Sequence, residues 1–97
     1  MIRGWPDKHA QRHEEGHARV ARALGYRVDV HRDHVFVHGR QDPVHGAAIA
    51  YGGQERAGRG GHEQDDRIAE DYLRQLPRSQ RGAARREAKR LARRYAR

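Results

Sequence analysis

Two histidines and a glutamate near the start of the chain have the residue types and the spacing of a zinc site. His13-Glu14-Glu15-Gly16-His17 has the form H-E-x-x-H, in which both imidazoles bind zinc when the segment is helical. Four residues span just over one helical turn, so the two rings lie on one side and Glu14 lies about 100° away. We expect His13 and His17 to bind zinc, and Glu14 to be the general base that takes a proton from the attacking water.

A helix that positions this motif is predicted over roughly residues 8–24. Asp7 is the expected N-cap, and Gly25 is the expected end. The histidines share one helical stripe with the apolar residues Ala10, Val20, Ala21 and Leu24. They therefore face the core, where each ring needs a buried partner. That partner is either a metal ion or, in the simpler alternative, an ordinary hydrogen-bonding group of the core.

The rest of the pattern predicts a small α+β domain that is mainly helical. Valines recur at every second residue before and after Arg32-Asp33, which predicts a short antiparallel β-hairpin. An apolar run of small residues over 44–51 fits either a strand or a buried helix; its alanine content favours the helix, whose end is weakened by Gly52-Gly53. After a loop at residues 58–61, the spacing of apolar residues predicts a third helix over roughly residues 64–76 and a basic helix at the C-terminal end.

A catalytic zinc ion needs a third protein ligand, because such sites use three side chains and keep one position open. The extended motif H-E-x-x-H-x-x-G-x-x-H is excluded, since Val20 and Ala23 stand where glycine and histidine are required. The remaining candidates are Glu55, His62, Glu63, Asp65, Asp66 and Glu70. Those at the start of the third helix are favoured, because a carboxylate there can face the first helix while apolar residues pack beside it.

The segment His13-Glu14-Glu15-Gly16-His17-Ala18, followed by residues 21–26, resembles the H-E-x-G-H-A opening of FtsH-type zinc metallopeptidase domains. In that family, strands, a small-residue helix and a zinc-binding aspartate follow the first helix. The resemblance implies a zincin-like mini-domain whose substrate is a peptide or an unfolded protein. It also implies Asp65 as the third ligand, with Asp66 next, since the family's aspartate is commonly followed by alanine four residues later, as Asp65 is by Ala69.

The excess positive charge of the chain lies at its C-terminal end. The 97 residues carry 21 lysines and arginines against 13 aspartates and glutamates, yet residues 1–77 are neutral overall. We predict a zinc metallopeptidase-like domain over residues 1–77 and, after Pro77, an Arg-rich helical tail over residues 78–97. The tail is expected to bind nucleic acid weakly and nonspecifically, or an acidic protein. The alternative function is therefore a non-catalytic, zinc-stabilised binding module.

Composition excludes several classes of protein. Only 35% of the residues are hydrophobic and none is cysteine, so the core is small, and disulfides and thiolate metal sites are excluded. A metal held by histidine and carboxylate is the available cross-link. The sequence has no phosphate-binding G-x-x-x-x-G-K motif and no long apolar run. We therefore expect no ATP binding and no membrane insertion, and a cytoplasmic protein.

Overall fold

The computed structural model describes residues 8–31, 34–58 and 62–97. Their elements are α1 (Lys8–Ala23), β1 (Val28–Val30), β2 (Val35–Val37), α2 (Pro43–Ala57), α3 (Glu63–Leu73), a 3₁₀ turn (Arg78–Gln80) and α4 (Arg81–Ala96). The predicted α+β class is confirmed for these residues, which are mainly helical and contain an antiparallel hairpin. The predicted N-cap Asp7, the predicted turn at Arg32-Asp33 and most of the predicted loop at residues 58–61 lie outside the described residues.

Helix α1 and the hairpin that follows it form where the sequence predicts them. The chain leaves α1 through Gly25, whose φ of 96° lies in the left-handed region that glycine adopts without strain. In the hairpin, Val28 lies opposite Val37 and Val30 lies opposite Val35. These valines are β-branched residues that favour extended backbone. The hairpin packs against α1, so it lies beside the helix that carries the H-E-x-x-H motif.

Helix α2 is longer than its sequence predicts. It begins after Asp42, whose Oδ1 accepts hydrogen bonds from the backbone N–H groups of Val44 and His45 at 2.9 and 3.4 Å. The prediction that its end is weakened at Gly52-Gly53 is wrong, because the helix continues to Ala57. A Cβ atom on Gly52 would lie only 2.7 Å from the carbonyl oxygen of Gly16. Gly16 of α1 and Gly52 of α2 thus allow the backbones of the two helices to touch. This packing offsets the poor helix propensity of glycine.

Helix α4 lies against the other helices and shares their core. Its buried face consists of alanines four residues apart, which are Ala84, Ala88, Ala92 and Ala96. Arg85 forms a bidentate ion pair with Glu70 of α3, with nitrogen–oxygen distances of 2.7 and 2.6 Å. The predicted helical form of residues 78–97 is therefore confirmed for Arg81–Ala96, and the helix packs against α1 and α2.

The core is built mainly from small side chains around α2, which contacts each of the other three helices. Its largest fully buried side chains are Leu73 and Val20. Helices with small side chains at their contacts approach one another closely, so larger polar side chains on neighbouring helices can come into contact. None of the helices in the described ranges is long and apolar enough to cross a membrane.

Candidate metal centre

Three potential metal ligands from two helices converge at one point. The Nε2 atoms of His13 and His17 on α1 lie 3.0 Å apart. The Oδ2 atom of Asp65, in the first turn of α3, lies 2.7 Å from the first and 3.3 Å from the second. All three side chains are largely buried, with exposed fractions of 19%, 12% and 15%. The structure therefore brings together the residues that the sequence predicts as ligands.

A hydrogen bond to the backbone fixes the orientation of the His17 ring. Its Nδ1 lies 2.6 Å from the carbonyl oxygen of Ile49 on α2. Because a carbonyl only accepts, the proton of the neutral ring sits on Nδ1, and Nε2 then presents a lone pair to the cluster. Histidines that bind metals usually have their second nitrogen held in this way.

The floor of the cluster is the backbone of α2 at Gly53. A Cβ atom at this position would lie 2.7 Å from His17 Nε2 and 2.9 Å from His13 Nε2. Those distances are shorter than normal contacts between carbon and nitrogen atoms, so only glycine leaves room for both ring nitrogens here. The sequence signal for this floor is the pair of adjacent glycines, Gly52 and Gly53, which by helix propensity alone indicates a weak helix end.

The electrostatics of the cluster favour a bound cation. Burial alone raises the pKa of Asp65, but the two adjacent imidazoles outweigh it and hold the pKa well below its usual range. Burial lowers the pKa of His17, but the Asp65 carboxylate and the Ile49 carbonyl outweigh it and leave the pKa raised. Asp65 is therefore ionised, and it attracts positive charge to His17, either as a proton or as a metal ion.

The types of donor atom in the cluster are those that zinc prefers. Zinc binds imidazole nitrogen and carboxylate oxygen at about 2.0–2.2 Å, so the donors of a tetrahedral site lie about 3.3–3.5 Å apart. The three donor–donor distances in the cluster are 2.7, 3.0 and 3.3 Å, so the two shorter ones must lengthen by about 0.3–0.6 Å to hold a zinc ion. In addition, the buried Oδ2 atom of Asp65 makes no well-formed hydrogen bond, although buried carboxylate oxygens normally have a partner. Two histidines and one carboxylate are a ligand set of catalytic zinc sites.

The other sequence candidates are arranged differently. Asp66 is exposed and accepts a hydrogen bond from Gln54 at 3.2 Å, while Glu55 lies 3.5 Å from Arg97. Glu70 is the partner of Arg85, and Glu63 is exposed. Within α3, Asp65 is thus the carboxylate whose oxygen lies beside both imidazoles. His62 is buried, and a nitrogen of its ring lies within 4.8 Å of the donor atoms of His13 and Asp65.

Glu14 lies beside the two ligands that flank it in sequence. One of its carboxylate oxygens is within 4.8 Å of a ring nitrogen of His13 and of His17. It lines a cleft of about 410 Å³ together with the cluster. A basic group at this distance can exchange a proton with a water molecule placed between it and the ligands.

The walls of this cleft come from elements whose role was not predicted. Strand β2 contributes Val35 and Val37, and α3 contributes Ile68 and Tyr72. The Tyr72 hydroxyl donates a hydrogen bond to Gln41 Oε1 at 2.6 Å. A larger, more open depression lies around Gly39–Pro43 and Tyr72, but it contains none of the candidate ligands. Of these two, the cleft at the cluster is therefore the one that contains the candidate ligands and Glu14.

Comparisons with protein-family models, with curated proteins and with solved structures find no match for this chain. The function proposed below is therefore inferred from the geometry of the cluster and its cleft.

Proposed function

We propose that this chain is a zinc-dependent, zincin-like metallopeptidase that cleaves peptides or unfolded proteins. The observation that carries the proposal is the convergence of His13, His17 and Asp65, whose donor atoms lie 2.7–3.3 Å apart, with Glu14 next to them in an open cleft. Three ligands and a neighbouring carboxylate are the parts that hydrolytic zinc sites require.

Glu14 is the group that moves the proton in this proposal. When bound, zinc would act as a Lewis acid that polarises a peptide carbonyl and lowers the pKa of water towards about 7. The Glu14 carboxylate accepts a proton from the attacking water and delivers it to the amine nitrogen as the peptide bond breaks. His17 is tied to the Ile49 carbonyl and Asp65 lies in the first turn of α3, so both side chains hold their donor atoms in place.

The cleft fits an extended peptide. Its wall is β2, which pairs with β1 among the described residues, so the opposite edge of β2 has backbone groups that a substrate strand can bind. Val35 and Val37 line the cleft, and Ile68 is 40% exposed at its side. A peptide added along β2 would therefore place its apolar side chains against these residues. The resemblance of residues 13–18 to the opening of FtsH-type peptidase domains also supports the proposal.

The proposal is tested first by zinc content and then by hydrolysis. We expect one zinc per chain by elemental analysis, loss of zinc in Asp65→Ala, and retained zinc in the matched control Asp66→Ala. Glu14→Gln should keep its zinc but lose about 10²–10⁴-fold of its rate on a fluorogenic unfolded protein such as casein. A Glu14→Gln variant as fast as the parent, or a folded parent that never takes up zinc, would refute the peptidase.

The second candidate is a zinc-stabilised binding module that does not hydrolyse peptides. It is favoured by the outer face of α4, where Arg86, Arg93 and Arg94 are exposed to solvent. Arginines on one helix face can bind phosphate groups or an acidic protein. This candidate predicts nucleic-acid binding that weakens steeply with salt and survives Glu14→Gln, while casein remains uncleaved.

A further inference from the structure

The most deeply buried polar residue near the proposed centre is His62. It is 6% exposed, directly precedes α3, and stands three residues before Asp65. Its ring lies beside that of His13, with centroids 4.9 Å apart and planes only 2° from parallel. The start of α3 thus places the His62 imidazole and the Asp65 carboxylate next to the His13 ring of α1.

One nitrogen of His62 is occupied and the other has no partner. Nε2 lies 2.6 Å from the carbonyl oxygen of Gly58, to which it must donate its proton. Nδ1 therefore carries a bare lone pair, and it is buried without a hydrogen-bond partner. His17 is held in the same way, by one nitrogen on the Ile49 carbonyl. A buried acceptor without a partner is uncommon and destabilising, and a cation would satisfy it.

We propose that His62 is a fourth protein ligand of the metal, so that the resting centre is held by His13, His17, His62 and Asp65. A ring nitrogen of His62 already lies within 4.8 Å of the donor atoms of His13 and Asp65. This inference rests on the zinc centre of the proposed function and deepens it. Four protein ligands leave no position for water, so hydrolysis requires that one of them leave.

His62 is the ligand that can leave. An imidazole lone pair lies in the plane of its ring, and the His62 ring is nearly parallel to that of His13. The two rings therefore need to tilt relative to each other before both can bind one ion. His13 and His17 lie within one helix, whereas His62 stands just before α3 and, among the described residues, its ring is tied only to the Gly58 carbonyl, at the end of α2. An arriving substrate or water would displace His62 first.

The test counts imidazole ligands in the full chain loaded with zinc. X-ray absorption at the zinc edge should show three imidazoles in the parent and two in His62→Phe, which keeps a ring but has no nitrogen. Competition with a chromophoric chelator should show zinc affinity in His62→Phe reduced by about 10–100-fold. The matched control is His9→Phe, because the exposed His9 ring stacks on His62 with ring centroids 6.0 Å apart. This variant should leave both the number of imidazole ligands and the zinc affinity unchanged.

The outcomes separate this inference from the proposed function. Two imidazoles in the parent, with unchanged affinity in His62→Phe, would overturn the role of His62 while the zinc centre stands. Three imidazoles in a parent that does not cleave casein would support His62 as a ligand and refute the peptidase. A parent without zinc would overturn both. The number of imidazole ligands in the parent decides whether His62 binds the metal, even if the His62→Phe variant does not fold.

Discussion

Replacing Gly53 by alanine tests whether the two imidazoles occupy the positions described here. The new methyl group would lie 2.7 Å from His17 Nε2, 2.8 Å from His13 Cε1 and 2.9 Å from His13 Nε2. Because ordinary contacts of this kind are about 3.5 Å or more, the rings must retreat by about 0.6–0.8 Å. A metal site tolerates errors of only about 0.2 Å in its ligand distances. The methyl would also fill space that the metal needs.

We therefore expect Gly53→Ala to weaken zinc binding at least tenfold, which corresponds to about 1.4 kcal/mol or more. Stability without metal should change less, since the gain of about 1 kcal/mol in helix propensity opposes an overpacking cost of about 1–3 kcal/mol. Chelator competition and urea unfolding measure the two effects. Gly82→Ala is the control, because a Cβ on Gly82 of α4 meets only the end of the Arg86 side chain at 3.7 Å. Parental zinc affinity in Gly53→Ala would refute the described geometry.

Three further predictions concern stability. Chelation should lower Tm by about 10–20 °C, because zinc at a hundred times its Kd adds about 2.7 kcal/mol; an unchanged Tm would contradict a bound metal. Arg85 lowers the pKa of Glu70 below its usual 4.5, so the ion pair stabilises the fold above that pH and is lost as pH falls through the lowered pKa. Glu70→Gln should cost under about 1 kcal/mol at pH 7 by urea unfolding, with the difference vanishing in acid, and a constant difference would refute the assignment. Ala88→Leu should cost about 1–3 kcal/mol in the same assay, whereas Ala83→Leu should be near neutral, because Ala88 is fully buried and Ala83 is exposed.

The parts of the fold that follow from local pattern were predicted from the sequence. The four-residue spacing of His13 and His17 and the apolar stripe around them identify α1, because helix geometry alone decides which residues share a face. The hairpin follows from the alternating valines, and α4 follows from the helical spacing of its apolar residues. In these segments the periodicity of the sequence and the tertiary packing agree, so a local argument is sufficient.

The parts that depend on packing were not predicted. Glycine is a poor helix former in isolation, so Gly52 and Gly53 suggest a helix end, and only the contact with Gly16 explains why α2 continues. Asp65 and Asp66 are chemically identical neighbours. In the sequence only the family resemblance favours Asp65, because the physical difference is rotational: successive helix residues point about 100° apart, and the packing of α3 against α1 decides which carboxylate faces the histidines.

The small core and the metal centre have one physical cause. Glycine and alanine at the contacts of α2 bring α1 close enough for Ile49 to hold His17 and for Gly53 to lie beneath both rings. Small side chains, however, bury little apolar area, and the stabilisation from burial scales with that area. A fold built this way gains precision at the site and loses stability in the core. A metal that joins α1 to α3 would restore stability at the same place, so we expect the two properties to be coupled in this protein.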